Sequence, residues 1–568
     1  MGKDNRDTST GRVHPYVPEL CELLRKGEIP RRELLRTACL LGVSATAAYA
    51  MAGRLDGREA VPAARADAPK RGGTLRVSMM VREIVDPAVL NSVTQSNQAR
   101  AFLEFLTRTG PDNVTRPYLA ERWEASEDLK TWTLHLRKGV RWSNGDDFNA
   151  DDVTFNITRW LDPAIGSSNI GLFSSMMDEV DTGKKDAQGN PVKEQRMTEG
   201  AVEKIDDHTV RLNLNSPELA IPENLFHYSA PIAHRRFSEE GGNLAENPVG
   251  TGPFTLERLT IAEKCTLKRR EDYWGTPAHL DSVEYIDLGE DPAATLSALA
   301  SNQVDLTYEA DIAHIDTLES IEGVVVFDTV TAQTGVARMQ VDKKPFDDKR
   351  VRQALAACID HKACLDLAYR GRGAPGENHH VAPTHPEYFA LPALKRDPER
   401  ARSLLTEAGH PDGLKVKIDV ANSTGPWETN AIQVMKEQCA PAGIDIEINV
   451  LPVARFWDVW LDTPFGFTPW THRPLGVMVL NLAYRSGAPW NESHYDNPEF
   501  DAALNDASAT LDVSDRRRKM QKVETILQDD AVMVQPLWRA IMAAGRDNVR
   551  GYKMHPTQYH DMASVWLA

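Results

Sequence analysis

The stretch "GLKVKIDVANSTGPWETNAIQVMKEQCAPAGIDIEINV", Gly413 to Val450, decides the fold. Leu414, Val416, Ile418 and Val420 alternate with polar residues at the period of a strand, and Ile444, Ile446, Ile448 and Val450 do the same. Between them a helix is expected from about Glu428 to Ala440. A strand, helix, strand unit closes by a right-handed crossover, usually with parallel strands, so the fold class is α/β. In such sheets ligands gather beyond the carboxyl ends of the strands, which puts "ANSTGPWETN" and its Trp427 at a site edge. Packing above the sheet is the other reading of Trp427.

Working outward, Asp397 can cap a helix whose first turn holds Pro398. Its stripe is Ala401, Leu404, Leu405 and Ala408, and Gly409 can end it. Near the start of the fold, "GTLRVSM" from Gly73 reads as a strand, and so does "TWTLHL", with Trp132, Leu134 and Leu136 on one face. The polar "DTGKKDAQGNPVKEQRMTEG", residues 181–200, reads as an inserted surface loop. No short repeat is visible.

At 568 residues the chain is too long for one ordinary core. Hydrophobic residues at 41% and charged residues at 26% are globular proportions. The net charge of -17 makes nucleic acid a poor partner, because phosphate binding rests on a basic surface. Cys265, Cys358, Cys364 and Cys439 form no C-x-x-C pair, and buried small apolar side chains are the favoured reading.

The segment "PRRELLRTACLLGVSATAAYAMAG" has paired Arg31 and Arg32, a modest apolar run and Ala48-Tyr49-Ala50, the A-x-A form of a cleavage site. It resembles a twin-arginine export signal over residues 1–50, which implies an exported, soluble, periplasmic protein. Residues 51–72, rich in Ala, Arg, Gly and Pro, are expected to form a flexible linker.

Several segments resemble the periplasmic solute-binding proteins of ABC importers, specifically the peptide, oligopeptide and nickel binding family (family 5). They run in the family's order: "LAERWEASEDLKTWTLHLRKGVRWSNGDDFNADDVTFNITRWLDP" from Leu119, "NPVGTGPF" from Asn247, "DYWGTPAHLDSVEY", "SNQVDL", "PFDDKRVRQALAACID" and "NPEFDAAL". Read without the family, Asp347 can cap a helix burying Val351, Ala354, Leu355, Cys358 and Ile359, and the glycines of "NPVGTGP" specify a tight turn. The resemblance implies a two-lobed periplasmic-binding-protein fold with an extra subdomain in the first lobe. Lobe I would comprise 73–112, 246–333 and 534–568, its subdomain 113–245, and lobe II 334–533. It also implies a monomer that delivers a peptide-like or other small polar solute to an ABC permease complex in the inner membrane, with no cofactor and no catalysis.

The candidate site centres on "PWTHRPLG", Pro469 to Gly476. In peptide-binding relatives a tryptophan here is followed by an acidic turn that pairs with the peptide ammonium. Trp470 is kept, but His472 and Arg473 stand where the acid is expected, which suits an anionic or sugar-like solute better than a bare ammonium. Pairing of Arg473 with a structural acid such as Asp462, and Trp470 as a core wall, are the alternatives. Further candidates are Trp490 and Asn491 in "YRSGAPWNESHYDNPEF", Trp427, Trp538 in "VQPLWRA", and Glu83 and Asp86 after the first strand. The pair His379 and His380 leaves a metal- or haem-binding relative as one alternative, and a secreted enzyme on a similar scaffold is another. No nucleophile and base pair is apparent, so binding is favoured.

Overall fold

The computed structural model describes residues 16–26, 34, 68–185 and 191–568. The cleavage site, most of the export segment and the linker up to residue 67 lie outside the described residues. Among those described, no helix is long and apolar enough to cross a membrane.

The unit read from residues 413–450 is present. Leu414–Val420 pairs in parallel with Ile444–Val450, and the helix Trp427–Cys439 crosses between them. These strands edge a twelve-stranded mixed sheet. From its far edge the main path runs Phe254–Thr260, Lys264–Arg269, Ser282–Ile286, Thr74–Ser78, Leu306–Thr307 and Leu537–Arg546. It continues through Val324–Met339 and Phe465–Trp470 to the 413–450 unit. Two strands therefore join the halves. In the sixteen-residue strand Val324–Met339, residues up to Val330 pair with the strand from Leu537, while Thr334 onward pairs with Phe465–Trp470. The register breaks between Val330 and Thr334, so the sheet changes partners there.

One apolar cluster runs across both halves, from Trp132 and Trp160 to Trp470, Leu480 and Phe500, and two more lie to either side of it. One packs Leu75, Val77, Phe102, Leu267, Tyr285 and Ile541, and the other packs Leu355, Leu405, Ile418, Ile432, Ile446 and Phe467. A four-stranded antiparallel sheet containing Thr131–Leu136 packs under Ala150–Trp160, with Trp132, Leu134 and Leu136 buried as the alternation predicts. Gly250 and Gly252 of "NPVGTGP" are required by close approach: a Cβ on either would meet the backbone of Phe102 at under 3 Å.

Two local expectations are corrected. The cap of the helix Lys349–Ala357 is Asp348, whose carboxylate accepts from the Arg350 amide, not Asp347. Much of 181–200 is strand rather than loop: Met177–Lys185 pairs antiparallel with Pro191–Met197.

Candidate functional site

The loop after Phe465–Trp470 meets Asn113 and Ala332, from distant parts of the chain, along a seam. His472 is the clasp. Its Nδ1 accepts from the Ala332 amide at 3.0 Å, inside the register break, and its Nε2 lies 3.1 Å from Asn113 Oδ1. Asn113, in the left-handed region at φ 57, donates its amide to the carbonyls of Thr384 at 3.1 Å and Pro474 at 2.8 Å. This set fixes one tautomer: a backbone N–H occupies Nδ1, so Nε2 carries the proton and donates to Asn113. Burial holds His472 well below its ordinary range, so it is neutral.

Arg473 is held differently. Its Nη1 donates to Thr471 Oγ1 at 3.0 Å and to the His472 carbonyl at 3.4 Å. Among the described residues no carboxylate, Asp462 included, lies within salt-bridge distance of it. Burial pulls its guanidinium below the ordinary arginine value, and the Tyr228 phenol pushes the other way. His227, beside Tyr228 with ring centres 4.1 Å apart, is lowered to about 4 by burial, then by Arg473. His380 is lowered to about 3 by burial, with Arg473 among the smaller causes. One guanidinium thus faces imidazoles that burial keeps neutral.

Trp470 is buried, and its indole N–H donates to Glu492 Oε1 at 3.1 Å. Glu492 also takes Arg338 Nε at 2.8 Å and the Thr468 hydroxyl at 2.5 Å. The indole edge is therefore spent inside the protein. Its ring packs against His380 at 5.5 Å and Trp490 at 6.1 Å. Trp490 is 44% exposed and also touches Trp460, so these rings form a wall running from the seam to solvent.

Trp427 serves both readings. It is buried, bonded through its N–H to Thr424, and also lines a cavity of about 60 Å³ on the seam with Glu309, Asp311, Tyr369 and Arg539. The Arg539 guanidinium lies 4.9 Å from the Trp427 ring centre. Trp538 is wholly buried against His380 at 6.0 Å, and among the described residues its indole N–H has no hydrogen-bond partner.

Three candidates are placed elsewhere. Asn491 is saturated within its own loop, donating to Arg485 and Tyr495 carbonyls and accepting from Ser493 and the Tyr495 amide. Asp86 caps a short turn through Ala88 and pairs with Arg159 at 2.5 Å. Glu83 is exposed, and its backbone carbonyl accepts from Gln95. His379 and His380 are buried, not surface-loop residues, and among the described residues no group of three His, Cys, Asp or Glu could hold a metal. Sequence reasoning missed Asn113, His227, Tyr228, Arg338 and Glu492. Asn113 lies in a Gly-Pro-Asp-Asn turn, an ordinary surface signal that gives no hint of a clasp 359 residues away.

Residues 115–491 match the profile of bacterial extracellular solute-binding proteins, family 5. The chain belongs to this family. It is 26% identical over 482 residues to the dipeptide-binding protein of Escherichia coli K12, covering 79% of this chain and 85% of that one. It is also 26% identical over 468 residues to heme-binding protein A of Haemophilus influenzae, covering 78% and 82%. In fold it resembles HbpA2 of Haemophilus parasuis, at a TM-score of 0.75 and 22% identity, over 88% of this chain and all of that one. The first two are named as binding proteins, and binding proteins of family 5 deliver solutes to ABC permeases.

Proposed function

We propose that this chain is the exported solute-binding component of an ABC importer, and that its two lobes close on a small polar solute bearing an anionic group. The observation that carries the choice of solute is Arg473, a half-buried guanidinium at the seam with no carboxylate partner among the described residues. A carboxylate or phosphate would satisfy its fork of donors, and the exposed ring of Trp490 offers a face to a sugar or aromatic body. A free ammonium placed here would meet a like charge in a site of low dielectric, so an ordinary dipeptide bound through its N-terminus is disfavoured. The dipeptide and haem in the relatives' names show how far solutes differ among similar chains.

The lobes would hinge at the register break, with boundaries at 333/334 and 533/534. Ligand contacts to both lobes favour the closed form that a permease recognises. Export would proceed through the twin-arginine segment, with cleavage near Ala50 testable by N-terminal sequencing of the periplasmic protein. We take the protein to act alone as a monomer, without catalysis; chemical turnover of the bound solute would make it an enzyme instead.

Mass spectrometry of solute retained through native purification, followed by calorimetry, tests the reading. An anionic solute should bind, and Arg473→Asp should weaken it by one to several orders of magnitude, about 2 to 5 kcal/mol. A cationic retained solute, or unchanged affinity in the variant, removes Arg473 from the site.

A further inference from the structure

A cavity of about 500 Å³ lies within the first half of the molecule. Its lining comes from residues 97–137, 226, 253–285 and 553–564 and includes none of Trp427, Trp470, His472 or Arg473. The volume is that of a small-molecule site. Exposed Thr276, Lys553 and Ser564 stand at its mouth, and buried Asn97, Glu104 and Tyr285 at its depth.

Its charges can be accounted for one at a time. Glu104 is saturated: Tyr118 and Tyr273 hydroxyls and the Trp274 indole, at 2.8 Å, all donate to its carboxylate. Arg108 pairs with Asp561. Arg137 donates to the Tyr118 carbonyl and lies 5.3 Å from the Trp274 ring centre.

Lys553 is exposed at the mouth, and Arg100 is the remaining cation. Its guanidinium sits 3.8 Å from the Tyr559 ring centre, 4.6 Å from that of Phe105 and 5.1 Å from that of Phe226. Among the described residues only Nη2 has a hydrogen-bond partner, Ser96 Oγ at 3.1 Å, and the buried Nε has none. Among the described residues no carboxylate lies within salt-bridge distance. Aromatic faces stabilise a guanidinium from above and below but leave its in-plane N–H donors unused, and those donors match the two oxygens of a carboxylate.

We propose that this cavity is a second binding site for a small aromatic acid whose carboxylate is held by Arg100 and whose ring lies among the aromatic walls. The walls supply Tyr118, Tyr273, Trp274 and Tyr559 as ring partners. The basic excess of this lining, in a chain of net charge -17, selects an acid over a cation.

Calorimetry with benzoate and with its uncharged analogue benzamide tests the assignment. Benzoate should bind saturably and benzamide should not. Arg100→Gln should weaken benzoate about 10- to 100-fold, the loss of a charged hydrogen-bond pair, while Arg473→Gln should leave it unchanged. If Arg100→Gln does not fold, Thr276→Trp, which fills the mouth, should abolish binding instead. Absence of saturable benzoate binding, equal binding of benzamide, or a loss in Arg473→Gln with none in Arg100→Gln or Thr276→Trp would overturn the second site. Those results would leave the seam reading intact, because that reading rests on Arg473 and a different solute.

Discussion

The strand Phe465–Trp470 has an arginine at each end, and the two are treated in opposite ways. At its start Arg338 is wholly buried and its donors are engaged: Nε to Glu492, Nη1 to the Thr463 carbonyl and Nη2 to the Trp460 carbonyl. Gly466 is part of the fit, since a Cβ there would lie 2.9 Å from that guanidinium. Just beyond the strand's end, Arg473 has only a neighbouring hydroxyl and a carbonyl of its own loop. A buried charge that serves the fold is fully paired, whereas one that serves a ligand is kept with its donors open.

The comparison breaks most readily at Glu492. Glu492→Ala should strand Arg338 and cost about 3 to 5 kcal/mol in urea denaturation, and a loss below about 1 kcal/mol would refute the structural role of the pair. Acid should act on the seam next. His227 and His380 are held in the fold at about 4 and about 3, below their ordinary 6.5. Their neutral forms therefore contribute stability that is full above pH 6.5 and is lost as pH falls toward those values. A drop from pH 7 to 5 should cost on the order of 2 kcal/mol for each, read as a falling thermal midpoint. A midpoint that rises over this window would contradict the assigned neutrality.

His472→Ala should cost about 1 kcal/mol, by leaving the Ala332 amide and Asn113 without their partner. Small-angle scattering should show the variant more open. Arg473→Ala, the counterpart of the first test, should change ligand-free stability by no more than about 0.5 kcal/mol. A destabilisation comparable to that of Glu492→Ala would erase the distinction between the two arginines.

What the sequence could show follows from the range of the interactions. Leu414 to Val450 was legible because each strand has one face against the core, which writes the period of two directly into the residues. The hairpin Met177–Met197 was misread because its described residues are largely exposed, so no apolar alternation marks it. Asp347 and Asp348 are equivalent cap candidates on paper, and only backbone geometry chooses between them. At the site, the loop bearing Trp470, His472 and Arg473 stood out by its own composition. The clasp did not, because Asn113, Ala332 and His472 meet only after the chain has folded. Asp86 and Asn491 looked like ligand groups for the same reason: their partners, Arg159 and the turn at Tyr495, are chosen by tertiary structure.

The bond from Ala332 to His472 has one more consequence. It joins the point where the sheet changes partners to the loop that carries Arg473, so this single backbone proton is shielded only while the two halves are shut. Its rate of exchange with deuterated solvent would then act as an internal clock for opening, slowing as solute is added and needing no attached label.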